Sequence, residues 1–255
     1  MLIALFSMLA IAIFGSGESP FLIPKVDKKI KKVVVDDERK TEILAIMKGY
    51  KKEWKILAKT KKKQAKSFKK LNKDRNADPE ELAEIINNGR KQREGLNEKL
   101  IAARIKVAGL ITDEEWNEIM NGVLEVKTKT TKKLTKAETK ARLKQDKRIE
   151  AIGDEIEAAF SVPAHREEAT KYLIQFEEDI IDLLVGSQNH TYKDQEILRN
   201  RLSTEEEIDE IIQQLENFRS NVHYSFLELR KDLVELSTED NWPKLAKALG
   251  KLIKK

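Results

Sequence analysis

Three histidines, His165, His190 and His223, carry the side chains best suited to hold a metal or move a proton near neutral pH. A di-iron helical bundle needs Glu three residues before its histidines. Val162, Ser187 and Ser220 stand at those positions, so that motif is missing. No His-Glu-x-x-His, Gly-x-Ser-x-Gly, phosphate-loop or dinucleotide glycine pattern occurs. His165 and Glu168 are spaced as neighbours on a helix, but carboxylates at a helix start answer first to the helix dipole. Asn189-His190-Thr191 has the form of a glycosylation acceptor in a loop. Zero cysteine excludes disulfides, thiolate metal sites, cysteine nucleophiles and a lipoprotein anchor. Carboxylates abound, yet no apolar neighbourhood sets one apart. These residues point to no catalytic or metal site, no cofactor and no identifiable small-molecule substrate.

The chemistry that remains is electrostatic. The chain carries 49 Lys and Arg against 44 Asp and Glu, a net charge of +5. That small sum hides strong separation. Residues 25–75 and 127–148 are strongly basic, whereas 150–182 and 204–240 are strongly acidic. Two lysine groups are candidate contacts for an anionic surface: Lys25, Lys28, Lys29, Lys31 and Lys32, then Lys61, Lys62 and Lys63. A lysine beside an anionic bilayer contributes on the order of 1 kcal/mol, weakened by salt. Nucleic acid is a poorer partner, because the cations are mostly Lys rather than the Arg that grips phosphate with two parallel bonds. Tyr50, Trp54 and Phe68 also fall on an apolar stripe, as core rather than as stacking platforms. The blander alternative is that the charges solvate narrow-striped helices and pair within or between chains.

The first lysine group follows an apolar segment. Leu2 to Phe14 is broken only by Ser7 and runs into Gly15-Ser16-Gly17-Glu18. That resembles a secretory leader cleaved after Gly17, although no cation precedes the apolar run. The stretch continues through Phe21, Leu22 and Ile23 to Pro24, which also suits an uncleaved membrane anchor. The lysines behind it favour the cytoplasmic side and oppose export. Both readings place the protein at the cell envelope and leave its orientation open.

The elements that would hold these charges are helices. High charge (36%), ten glycines and five prolines suit long exposed helices rather than sandwiches or barrels. From Asp27 to about Asn76, apolar residues such as Ile43, Met47, Tyr50, Leu57 and Phe68 recur at gaps of three and four. One helix over that range would extend roughly 70 Å at about 1.5 Å per residue, and needs a partner along its length. Asp78-Pro79-Glu80-Glu81 starts a second, antiparallel helix, with Gly109 as its expected stop. Thr112-Asp113-Glu114-Glu115 starts a third, reaching Phe160 through a lysine- and threonine-rich stretch. Further helices follow: from Ala164, over Tyr192 to Leu202, from Ser203-Thr204-Glu205-Glu206, and over Trp242 to Ile253.

Three helix starts share a phrase: Leu110 to Trp116, Leu202 to Ile208, and Leu236 to Trp242. Their spacings of 92 and 34 fit no single repeat period, and capping chemistry accounts for the likeness. The phrase resembles the Leu-Thr-x-x-Gln boxes of small all-helical periplasmic stress chaperones. It departs from them by an extra residue before Thr and by Glu or Asn in place of Gln, so membership does not follow.

The expected protein is all-α: an elongated, coiled-coil-like bundle built on a long-helix hairpin, with a smaller C-terminal helical part. Residues 1–24 are the leader or anchor, 25–160 the hairpin and third helix, and 161–255 the C-terminal region. The expected function is a non-enzymatic envelope scaffold or holdase-like protein that binds a protein partner, itself or an anionic membrane. A membrane-attached sensor module is the alternative, ahead of a nucleic-acid-binding or carboxylate-site protein.

Overall fold

A computed structural model describes residues 26–120, 153–188 and 196–252. Every regular element among these residues is helical, and the fold is an all-α bundle. The long helices are α1 (Val26–Val33), α2 (Asp37–Leu71), α3 (Pro79–Leu110), α4 (Pro163–Gln188), α5 (Glu205–Leu236) and α6 (Trp242–Leu252). Shorter helical stretches cover 113–120, 153–159 and 196–199. The apolar segment 1–24, the basic stretch 127–148 and the sequon at Asn189 lie outside the described residues.

The single first helix expected from Asp27 to Asn76 is instead two. Val33, Val34 and Val35 are β-branched and disfavour helix. Asp36 then offers a cap: its backbone is extended, and its side chain accepts from Arg39 N at 2.7 Å. Val34 turns into the core and Val35 is left 84% exposed. Further along, Gly109 does not end α3, which runs to Leu110 and is capped by extended Ile111.

α2 and α3 form the antiparallel hairpin. Arg39 donates to Leu110 O at 3.0 Å near the open end. Lys99 pairs with Glu53 at 2.6 Å midway, and Leu57 and Leu96 share a small core. Gln64 reaches Gln92 at 3.3 Å toward the turn. α4 and α5 form a second hairpin around Leu173, Phe176, Ile180, Val222, Phe226 and Leu229. Residues 153–159 belong with this second core, through Ile156 and Ala159.

The two hairpins are copies of one plan. α3 and α5 each have 32 residues. Their starts (79 and 205), their ends (110 and 236) and the starts of α2 and α4 (37 and 163) are all 126 positions apart. So are Ile30 and Ile156, Arg75 and Arg201, Arg104 and Arg230, and Trp116 and Trp242. The intervals of 92 and 34 are thus two parts of one longer offset. It joins the first phrase to the third and lacks the short period of a solenoid.

The copies embrace reciprocally, as the subunits of a twofold dimer do. Arg75, at the turn of the first hairpin, donates to Val234 O and Ser237 O, at 3.0 and 2.9 Å, at the far end of the second. Arg201 answers from the second turn, donating to Ala108 O at 2.8 Å and to Asp113 at 2.5 Å. Arg104 donates to Leu198 O at 2.9 Å and Asn200 O at 3.2 Å, and Arg230 donates to Asp74 O at 2.8 Å. Each of these two guanidiniums lies over the indole twelve residues on, Arg104 on Trp116 at 5.1 Å and Arg230 on Trp242 at 5.2 Å. Burial pushes the Arg104 guanidinium down to about 10. Where α3 crosses α5, Ile101 packs on Ile208 and Ile212, while Leu227 joins the cluster containing Leu82 and Ile86.

Candidate functional site

The exposed side of α2 is the most strongly charged surface of the fold. Its apolar side is spent on α3, so the opposite side is set by the 3.6-residue turn. Lys48, Lys52, Lys55, Lys59, Lys62, Lys66 and Lys69 recur at alternating gaps of four and three, and all are exposed. The row covers about 31 Å at 1.5 Å per residue, and Lys73 continues it into the turn. No ion pair among the described residues involves any of these eight. Lys63 and Lys70 widen the same face.

The lysines singled out by local runs fare unevenly. Lys28, Lys31, Lys32, Lys62 and Lys63 are exposed, and Lys25 lies outside the described residues. Lys29 turns inward, donating to Ile119 O at 3.3 Å. Lys61 is half-buried, with its ammonium 5.2 Å above the Trp54 ring. The fold brings Lys62 and Lys63 into the long row and leaves the α1 lysines on a separate short helix. The rest of the row had a signal in the sequence, a lysine at every third or fourth position, that runs of adjacent lysines conceal.

The second hairpin lacks this face. α2 carries thirteen Lys and Arg against four Asp and Glu, whereas α4 carries two against six. The counterparts of Lys48, Lys52, Lys55 and Lys59 are Ile174, Glu178, Ile181 and Val185. Glu168, Glu178 and Asp182 are exposed there.

A second charged feature lies at the crossing of α3 and α5. Glu216 is fully buried and accepts from Arg93 Nε at 2.8 and 3.2 Å, and from Arg219 Nη1. Burial pushes the Glu216 carboxyl up, but Arg93 and Arg219 outweigh it and hold the group below 4.5. For Arg93 burial outweighs Glu216 and lowers the guanidinium from 12.5. The two directions agree on the outcome at neutral pH, which is an ionised cluster of two arginines and one carboxylate. The counterpart of Glu216 is Arg90, which pairs near the surface with Glu94 at 2.7 Å.

The histidines form no site with carboxylates among the described residues. His165 is exposed and meets the Phe160 ring edge-on at 6.3 Å. Glu168 accepts from the Tyr172 hydroxyl at 3.1 Å. His223 is buried, and no group of three metal-ligating side chains occurs among the described residues. Tyr50 and Phe68 lie in the core, and Trp54 packs against it. No described helix is long and apolar enough to cross a membrane.

The class these features define is a duplicated helical-hairpin bundle with one cationic face. Comparison with protein-family models, curated proteins and solved structures finds no match.

Proposed function

We propose that this protein is a non-enzymatic interaction scaffold of the cell envelope, exported or membrane-tethered, that lays the lysine face of α2 on an anionic membrane surface. The observation that carries this reading is the row from Lys48 to Lys73, whose members have no acidic partner among the described residues. Such a row costs self-repulsion and is compensated by an external anion layer. A lysine ammonium is a compact charge on a flexible stem, suited to diffuse contact with headgroups. The apolar segment 2–24 supports the address, because it would bring the lysines of α1 to the same surface.

The test is vesicle co-sedimentation of the full chain with neutral and anionic vesicles at low and high salt. Binding should require anionic lipid and fall about tenfold or more as salt screens it. Replacing Lys52, Lys59 and Lys66 together by Ser should weaken binding and leave the fold intact, because all three are exposed. Equal binding to neutral vesicles, or indifference to salt, would sink the reading. Tighter binding to duplex DNA than to anionic vesicles would replace the membrane by nucleic acid as the partner.

A further inference from the structure

The two copies differ where α2, α3 and α5 meet. There the first hairpin has Gly89 and the second has Leu215. Gly89 is buried, and a Cβ added to it would sit 3.4 Å from Gln64 Oε1 and 3.5 Å from Arg93 Nη1. The missing side chain therefore leaves a gap flanked by the edge of a guanidinium. The gap opens into a pocket of about 380 Å³ including its mouth, walled by Lys61, Gln64, Phe68, Gly89, Arg93 and His223.

We propose that this pocket binds a phosphate group, with Arg93 as its buried anchor and Lys61 at its rim. The Arg93 side chain is only 6% exposed, and its Nη2 has no hydrogen-bond partner. A buried guanidinium N–H without an acceptor is costly, and an anion in the pocket would relieve it. Charge matches a dianion. Two arginines share Glu216, which leaves one positive charge, and Lys61 adds a second. A phosphate monoanion and dianion interconvert near pH 6, so the dianion prevails at neutral pH. The second hairpin would close the equivalent space with Leu215, which makes the site a property of one copy.

Isothermal titration of the full chain with inorganic phosphate, and separately with glycerol phosphate as a monoester, tests this at a salt concentration that screens exposed lysines. Saturable one-to-one binding is expected, and the tighter ligand says whether the group arrives free or esterified. Gly89→Leu, the residue of the other copy, should weaken binding about tenfold or more at unchanged helicity. Should that variant misfold, Lys61→Met supplies the second arm, with binding several-fold weaker. The triple replacement of Lys52, Lys59 and Lys66 should leave it within about twofold, because those lysines lie on the exposed face. No saturable binding of either ligand, or loss in the triple variant with none in Gly89→Leu and Lys61→Met, overturns the pocket. Neither result bears on vesicle binding by the α2 face.

Discussion

The two hairpins share their joints and differ in their faces. Arg75 and Arg201 each tie one hairpin turn to the open end of the other copy, and Arg104 and Arg230 each stack on a tryptophan. Those contacts are long-range and partly buried, so a change on one side demands a matching change on the other. The surfaces carry no such constraint. α2 became a lysine row while α4 became acidic, and Arg90 in one copy faces Glu216 in the other. A duplicated scaffold can thus hold its internal contacts and assign different chemistry to each outer side.

Glu216→Gln breaks the comparison hardest. It leaves Arg93 and Arg219 without their shared carboxylate, and should cost about 3–5 kcal/mol in urea denaturation. The same change at its counterpart, Arg90→Gln, removes a surface pair and should cost under about 1 kcal/mol. Equal losses would show that the crossing is not where the copies diverge.

The joints should behave alike. Trp116→Ala and Trp242→Ala each empty a buried site and should each cost about 3–5 kcal/mol in the same measurement. The double variant should lie within about 0.5 kcal/mol of the sum, because the indoles sit at separate joints. A large shortfall would mean that one joint already opens when the other is lost.

Acid should separate the regions by sign. Glu216 is held below its ordinary value, so its contribution is complete above about pH 4.5 and is lost as pH falls through its folded pKa. Glu115, against which burial is outweighed by Arg39, follows the same rule at the first joint. Glu177 on α4 is raised by burial, so its ionised form costs stability that returns as pH falls through its folded pKa. Amide exchange should slow along α4 in mild acid and quicken at the α3–α5 crossing in strong acid. Glu177→Gln should abolish only the slowing.

The caps should give the smallest effect and sharpen the likeness. Asp78→Ala and Thr204→Ala remove the N-caps of α3 and α5, and should each lower stability by about 1 kcal/mol. A tenfold difference between the two penalties would show that the copies no longer share this start.

Much of this architecture was legible along the chain. The starts at Asp78, Thr112 and Thr204 are observed, and Thr204 with Glu207 and Thr112 with Glu115 form both halves of their boxes. The duplication was harder to see. Its core positions exchange Met47 for Leu173, Tyr50 for Phe176 and Leu96 for Val222, and the faces reverse charge, so few identical residues mark the offset. The lysine face was half legible, because runs such as Lys61-Lys62-Lys63 draw attention to neighbours that point in different directions around a helix.

What the sequence alone determined is what three or four residues can settle between them: helix type, cap positions and the side of α2 that stays in water. Such contacts form within one turn and need no distant partner. Only the tertiary structure decided that Arg93 meets Glu216, that Arg104 stacks on Trp116 while reaching Leu198, and that Gly89 opens a gap beside a guanidinium. Those pairings join residues up to 123 apart. They depend on where two hairpins cross, and no local spacing encodes that point.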